Sequence, residues 1–224
     1  RTNHPNYTVI TEYDYKYPFD YLRDIPAKTS VTDILKGEKP IDNAFSARPA
    51  FMSRLGLTPA ERGTAAHKFM EYCDFGAAVI NIEKEIERLY EWEYISREEA
   101  AAIDRTQISA FFESYAYFAV KKAIKVYREY RFLTRINAHE FNGNISADIN
   151  EYSLVQGVAD CVIENENDIY IIDYKTDLIN SETKFREEYK KQLSLYSEAL
   201  CAIFKKPVTK KIIYSFHLKR CIEV

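Results

Sequence analysis

With 224 residues, 46% of them hydrophobic, the chain can bury one full core, or one domain with an additional arm. Its net charge of −3 excludes a protein that is basic throughout, but it leaves room for a local basic groove. No apolar run approaches the roughly 20 residues of a membrane helix and no secretory signal is visible, which predicts a soluble protein. The four cysteines form no CxxC pair, which argues against structural zinc and against a disulfide framework.

The first part of the chain has little to bury. Residues 1–27 are rich in tyrosine and aperiodic, so we expect them to lie over a neighbouring surface and not to form a separate domain. We therefore divide the sequence into an arm or linker over residues 1–55 and a domain over residues 56–224. Because the sequence begins with Arg1, we expect it to be a piece of a larger protein.

A capping box predicts the first helix of the domain. Thr58 suits the N-cap, Pro59 the first helical position, and Glu61 the third position after the cap. His67 then lies two turns into the helix, on the same face as Gly63, where a missing side chain permits close approach. An imidazole in this position could bind a metal ion.

Other periodic and apolar segments complete the predicted order of elements. Helices are expected at residues 81–92, 96–125 and 181–204, and Ser96 with Glu99 forms a second capping box. Strands are expected at residues 126–136, 153–164, 168–175 and 210–218. Helices followed by a sheet with one late helix inserted predict an α/β core.

One strand runs directly into charged residues. Residues 168–172 are mostly apolar and lead into Asp173, Tyr174 and Lys175. Because the side chains of a strand alternate between its faces, Asp173 and Lys175 project to one side and Tyr174 to the other. An acid and an ammonium group therefore share a face.

A second acid lies on the preceding strand. Asp160 is expected on the same face as Val158 and Val162, where a carboxylate is expensive to desolvate without a cation or strong donors. Residues 164–167 have the composition of a hairpin turn, so antiparallel pairing would bring Asp160 close to Asp173. Two such carboxylates suit Mg²⁺ or Mn²⁺, and the pattern fits phosphodiester hydrolysis.

The helix predicted at residues 181–204 carries two polar groups. Gln192 and Tyr196 are four residues apart and share one face. Cationic residues crowd the first half of the helix and form a rim suited to phosphates: Lys184, Arg186, Lys190 and Lys191.

Four short motifs in one order resemble the RecB-like branch of the PD-(D/E)XK nuclease superfamily. The motifs are GxxxH at Gly63 to His67, GxxD at Gly157 to Asp160, DYK at Asp173 to Lys175, and QxxxY at Gln192 to Tyr196. One alone would be uninformative, but four in order are specific. Residues 27–36 and 128–132 also resemble the nuclease domains of AddA-type helicase-nuclease subunits.

The resemblance implies a fold and a set of functional residues. The fold is a restriction-endonuclease-like α/β core, in which helices flank a central mixed sheet and a helical region is added on the N-terminal side. The implied ligands of Mg²⁺, which Mn²⁺ can replace, are His67, Asp160, Asp173 and the main-chain carbonyl of Tyr174. Lys175 would orient or deprotonate the attacking water, and Gln192 and Tyr196 would touch the substrate or orient the lysine.

The resemblance also implies an activity and partners. The activity is 3′-to-5′ exonucleolytic hydrolysis of DNA that leaves a 5′-phosphate, in double-strand break repair and recombination. The implied partners are a single strand from an unwound duplex end, the helicase part of the same chain and an AddB-type subunit, in the bacterial cytoplasm at the nucleoid. The sequence has no GxxxxGK[ST] loop and no tight cysteine group, so we expect neither an ATP site nor an iron–sulfur cluster in this segment.

Alternatives stay open at this stage. Taken singly, each motif also fits a structural role: an ion pair for Asp173 and Lys175, a turn cap for Asp160, a packed side chain for His67, and a core-edge pair for Gln192 and Tyr196. For Glu129 we expect ion pairing at the surface, although the family that the chain resembles places a glutamate near this position. For the whole chain, the alternative is a non-catalytic module that retains the nuclease fold and docks DNA or a partner subunit, and a third is a stand-alone nuclease of a phage or mobile element.

Overall fold

The computed structural model describes residues 17, 19–23, 25–36, 57–141 and 150–224. Its helices are α1 (Val31–Lys36), α2 (Pro59–Tyr72), α3 (Phe75–Ile80), α4 (Ile82–Glu91), α5 (Arg97–Ala102), α6 (Arg105–Phe112), α7 (Tyr115–Lys122), α8 (Ala138–Phe141) and α9 (Glu182–Phe204), with a 3-10 turn at Asp20–Leu22. Its strands are β1 (Lys28–Ser30), β2 (Lys125–Asn137), β3 (Tyr152–Glu164), β4 (Ile169–Lys175), β5 (Val208–Ser215) and β6 (Arg220–Glu223). None of the described helices is long and apolar enough to cross a lipid bilayer.

The sheet is organised around β3. Strand β2 pairs antiparallel with β3 along one edge. The opposite edge of β3 is shared, because β1 pairs parallel with residues 154–156 and β4 pairs antiparallel with residues 161–164. Strand β5 is parallel to β4, and β6 is antiparallel to β5. The sheet is therefore mixed, and residues 157–160 of β3 lie in a gap on that edge, between the registers of β1 and β4.

Two layers of helices cover the sheet. Helices α2 to α7 pack on one face, where Phe69 and Phe111 join Tyr174 in a buried cluster. Helices α1 and α9 pack on the other face, where Phe185 and Ile171 are fully buried. The predicted α/β architecture, a mixed sheet flanked by helices, is confirmed.

Strand β1 and helix α1 lie within the residues predicted as an arm, and both pack on the domain. The backbone N–H of Leu154 donates to the carbonyl of Ala27 at 3.0 Å, and Oγ of Ser153 donates to the carbonyl of Pro26 at 2.6 Å. Val31 is buried in the cluster beside α9. Residues 26–36 therefore contribute to the sheet and to its core.

The single helix predicted over residues 96–125 is wrong, because the chain forms α5, α6 and α7 there. The side chains of Asp104 and Ser114 accept hydrogen bonds from the backbone N–H groups of Gln107 and Tyr117, and each caps a new helix. Such local bonds compete with continuation of the preceding helix. The strand predicted at 210–218 ends at Ser215 and a turn leads into β6.

Gly157 has no room for a side chain, since an added methyl group would lie 2.3 Å from Cζ of Phe132. We expect Gly157→Ala to lower the free energy of unfolding by about 1–3 kcal/mol, the usual cost of overpacking. Urea denaturation measures this change. In a Phe132→Leu background, where the clashing ring is absent, the added Gly157→Ala substitution should lower the free energy of unfolding much less than it does in the wild type. A Gly157→Ala variant as stable as the wild type would contradict the steric argument.

Candidate metal centre

The end of β4 holds a buried acid against a lysine. Asp173 is 2% exposed, and its Oδ2 lies 2.7 Å from Nζ of Lys175, at an angle unsuited to a hydrogen bond. Nζ of Lys175 also lies 4.5 Å from the ring centroid of Tyr189 on α9. The structure therefore brings Asp173 and Lys175 together, as the strand alternation predicts.

Asp160 lies in the gap on the edge of β3. Its Oδ2 accepts a hydrogen bond of 2.7 Å from the backbone N–H of Tyr174 in β4. The pairing of β3 with β4 ends at Cys161 and Ile172. Beyond that point, the Asp160 carboxylate accepts the N–H of Tyr174 in place of a backbone carbonyl of β3. This contact fixes Asp160 beside the strand end that carries Asp173.

The two acids influence each other. Burial raises the pKa of Asp173 to about 6, the charge of Asp160 adds to this rise, and Lys175 opposes it. The attraction of one ammonium group does not fully offset desolvation and repulsion. The protein alone therefore does not supply enough positive charge around the Asp173 carboxylate to offset its burial and its repulsion by Asp160.

Helix α2 brings His67 to the same place. The predicted capping box of Thr58 and Glu61 is confirmed, and His67 lies in the third turn, where its Nδ1 is 3.5 Å from Oδ2 of Asp160. Burial opposes the charged imidazole, but the hydrogen bond and charge of Asp160 outweigh it, so the pKa of His67 is raised. An added methyl group on Gly63 would lie 2.7 Å from Oγ1 of Thr176, which shows how closely α2 approaches the end of β4.

Glu129 completes a cluster that the sequence analysis missed. One ligand atom each from His67, Glu129 and Asp160 lies within 4.8 Å of the others. Burial raises the pKa of Glu129, and the charge of Asp160 adds to the rise. The expectation of surface ion pairing for Glu129 is therefore wrong. The signal that could have found it is the family resemblance, which places a glutamate near this position, but its proximity to Asp160 depends on how β2 pairs with β3.

A local irregularity in β2 places Glu129. Its φ of 48° is in the left-handed region. Glu129 lies opposite Asp160, between the paired residues Arg128 and Cys161 on one side and Tyr130 and Ala159 on the other. Such a conformation is uncommon outside glycine and interrupts the alternation of side chains. On β3, Val155 and Ala159 face α9 before this point, whereas Val162 faces α9 after it.

The strand face expected for Asp160 is wrong, because Val158 and Val162 do not share a face. The sequence analysis placed Asp160 on one face with Val158 and Val162. In the structure Val162 is buried beside α9, whereas Val158 is 37% exposed. The alternation of β3 shifts by one residue near Asp160, so a strict period of two fails there.

Helix α9 contributes Gln192 and Tyr196. Nε2 of Gln192 donates to the hydroxyl of Tyr196 at 3.0 Å and to Oδ1 of Asp173 at 3.4 Å. Tyr196 is buried against the ring of Phe132. Both residues therefore lie beside Asp173, on its side away from α2.

The cationic residues of α9 do not reach this cluster. Lys184, Lys190 and Lys191 are exposed on the outer side of the helix. Arg186 is engaged within the fold, since its Nε donates to the carbonyl of Glu223 at 2.9 Å and its Nη2 lies 3.4 Å from Glu182. Their role with DNA stays a prediction.

The residues present fit a divalent metal ion. Hard carboxylate oxygens with one imidazole suit Mg²⁺ or Mn²⁺. Among the described residues, Oδ2 of Asp173 is a buried oxygen without a hydrogen bond. The ammonium of Lys175, 2.7 Å away, offsets part of the cost of burying this charge, and a metal ion would offset more.

The PD-(D/E)XK nuclease superfamily matches residues 45–220 of the chain. This chain belongs to that superfamily. The predicted family resemblance is confirmed, and PD-(D/E)XK nucleases use divalent metal ions, in agreement with the His/Glu/Asp cluster.

Curated relatives give a similar result. The chain is 36% identical to the A-type subunit of an ATP-dependent helicase/nuclease of Clostridium beijerinckii over 94% of its length, and 36% identical to that of Bacillus cytotoxicus over 93%. It spans only 18% of the length of each relative. Among solved structures, the crystal structure of SSO0001 aligns with 62% of this chain and with 60% of its own chain, at 20% sequence identity. The TM-score of this alignment is low, at 0.33.

Loss of the Glu129 carboxylate tests the composition of the cluster. We expect Glu129→Gln to weaken Mn²⁺ binding about tenfold or more, roughly 1.4 kcal/mol, in calorimetric titration. Glu87→Gln, an exposed glutamate on α4, is the matched control and should bind as the wild type does. Equal affinities of the two variants would remove Glu129 from the ligand set.

Asp173 also predicts a pH dependence of stability. Because its pKa is raised to about 6 in the folded chain, its contribution to stability is present in acid and is lost as pH rises through about 6. In EDTA, Asp173→Asn should therefore gain stability over the wild type between about pH 4 and pH 6, up to roughly 3 kcal/mol. Urea unfolding across this range gives the difference, and a constant difference would contradict the shift.

Proposed function

We propose that this chain is a Mg²⁺-dependent nuclease domain that hydrolyses phosphodiester bonds of DNA. The observation that carries the proposal is the convergence of His67, Glu129 and Asp160 within 4.8 Å, beside an Asp173 that lies 2.7 Å from Lys175. Membership of a nuclease superfamily supports the same activity.

The proposed metal site extends the predicted set by one residue. Its ligands are drawn from His67, Glu129, Asp160, Asp173 and the main-chain carbonyl of Tyr174. When bound, Mg²⁺ or Mn²⁺ would polarise the scissile phosphate and lower the pKa of a bound water. Lys175 would hold that phosphate by its positive charge, and the acids of the cluster would hold the metal ion and accept hydrogen bonds from the water.

Lys175 is proposed to act as a cation. Burial opposes its charge, but the adjacent Asp173 outweighs burial and raises the pKa of Lys175. A protonated Lys175 would orient the attacking water and stabilise charge on the phosphate during in-line attack, and it is less suited to remove a proton. Of the two roles that the sequence leaves open, we therefore propose the orienting one.

Gln192 and Tyr196 are proposed as positioning residues. Gln192 reaches Asp173 and the hydroxyl of Tyr196, so the pair limits the rotation of the Asp173 carboxylate. Precise carboxylate placement matters because metal geometry tolerates little displacement. Lys184, Lys190 and Lys191 are proposed to contact phosphates farther along the strand.

The biological setting is proposed from the relatives. Their name, as A-type subunits of ATP-dependent helicase/nucleases, supports a role beside a helicase and at least one other polypeptide. We propose that the chain receives a single strand from an unwound duplex end, cuts it 3′ to 5′ and leaves 5′-phosphates. The proposed partners are the helicase part of the same polypeptide and an AddB-type subunit, in repair and recombination in the bacterial cytoplasm at the nucleoid.

Substitution of the DYK residues tests catalysis. We expect Asp173→Ala and Lys175→Ala to reduce cutting of end-labelled single-stranded DNA by roughly 10²–10³-fold or more, without ATP, because each removes a preorganised charge. Lys206→Ala, which removes an ion pair with Glu164, is the control and should cut normally. Circular dichroism checks the fold of every variant.

Two outcomes would count against the proposal. Cutting by Asp173→Ala at the wild-type rate would sink the assigned roles. A wild-type chain that neither binds Mn²⁺ nor cuts DNA would instead favour the docking module. Product ladders from strands labelled at either end report the polarity.

A further inference from the structure

Beside the candidate metal centre, strands β2 and β3 carry a row of exposed side chains. In the antiparallel register Arg131 lies opposite Val158, Leu133 opposite Gln156, and Arg135 opposite Leu154. Residues directly opposite each other in a ladder share a face. All six are exposed, and we call them the β2–β3 strip: Arg131, Leu133, Arg135, Leu154, Gln156 and Val158.

The irregularity at Glu129 explains why this strip is bare. On the far side of Asp160, Cys161 and Ile163 are buried beneath helices α2 to α7. On the near side, residues 154, 156 and 158 stay exposed while Val155 faces α9. The strip therefore begins where the helical layer ends, at the metal centre itself.

The strip exposes apolar surface that a monomer normally buries. Leu133 is 53% exposed, Leu154 38% and Val158 37%. Contiguous apolar side chains rimmed by polar ones mark a binding surface. They offer a floor for groups with flat, weakly polar faces, such as sugars and bases.

The charged side chains in the strip and beside it are all cationic. Arg131 and Arg135 belong to the strip, and Lys28 of β1 adjoins it through its pairing with Leu154. None of these residues is acidic, although the chain as a whole has a net charge of −3. A cationic row in an acidic chain is complementary to a polyanion.

A groove of about 620 Å³ extends from the strip to Tyr196 on α9. Lys28, Arg131 and Gln156 line it, and Tyr196 lies at its inner side. Tyr196 accepts a hydrogen bond from Gln192, which also reaches Asp173. None of the described residues that line the groove is acidic. A strand lying in the groove would thus pass Tyr196, which is linked to Asp173 through Gln192.

We propose that the β2–β3 strip, with Lys28, binds the segment of single-stranded DNA adjacent to the phosphodiester at the metal centre. The proposal rests on the proposed function for the position of the scissile bond. Arg131, Arg135 and Lys28 contact phosphates, and Leu133 and Val158 lie under sugars and bases. A partner protein would also cover the leucines, but three cations without an acid match a polyanion better than a protein surface.

Binding without cutting tests the strip. The probe is a fluorescein-labelled oligothymidylate of roughly 12 nucleotides, with Ca²⁺ in place of Mg²⁺, followed by fluorescence anisotropy. We expect Arg131→Gln with Arg135→Gln to weaken binding at least about tenfold at low salt. The slope of log affinity against log salt concentration should become shallower by about 1.4, since each single-strand phosphate contact contributes about 0.7.

Two further variants separate charge from contact. Lys84→Gln with Arg97→Gln removes the same charge from exposed sites on α4 and α5, and should keep the affinity within about twofold and the slope unchanged. Leu133→Ala should weaken binding without changing the slope, because it removes apolar contact and no charge.

Several outcomes would overturn the strip. They are a wild-type chain that does not bind the probe, an Arg131→Gln/Arg135→Gln variant that binds with the wild-type affinity and slope, and equal losses in the two charge-matched double variants. Failure of the proposed function looks different: the wild type would bind the probe through the strip and yet leave it uncut in Mg²⁺ and in Mn²⁺.

Discussion

Two carboxylates withdrawn from water, Asp173 near the end of β4 and Asp160 within the neighbouring β3, impose the main requirement on this fold. Asp173 is almost fully buried, and Asp160 fills the gap on the edge of β3 by accepting the backbone N–H of Tyr174. Their repulsion and desolvation exceed what one ammonium group offsets, as the raised pKa of Asp173 shows. The arrangement costs stability in the metal-free chain, and a multivalent cation would offset that cost.

Three elements place further side chains around these two acids. The missing side chain of Gly63 lets α2 come close enough for His67 to reach Asp160. The left-handed backbone of Glu129 aims a third acid at the same point from β2. From the opposite layer, Gln192 on α9 holds the far oxygen of Asp173. The site lies where both helical layers meet the sheet, so its geometry depends on the packing of the whole domain.

What the sequence predicted well is local, and what it missed depends on pairing between distant segments. The cap at Thr58 and the alternation of β4 are properties of short segments, and both predictions agree with the structure. Glu129 was missed because its position follows from a register with β3 and from a backbone conformation that glutamate rarely adopts. The helix expected over residues 96–125 was too long, since side chains inside it cap new helices. The order of the four motifs identified the family, but it does not specify how the site residues are arranged in three dimensions.

The contribution of β1 has a consequence for how this domain can be divided. The superfamily match starts at residue 45, whereas β1 ends at Ser30 and occupies part of an edge of β3. A shortened polypeptide that begins at the family boundary would leave N–H and C=O groups of β3 unpaired beside exposed leucines. Open edges of that kind recruit strands from other molecules, so trimming to the matched region would favour self-association and insolubility.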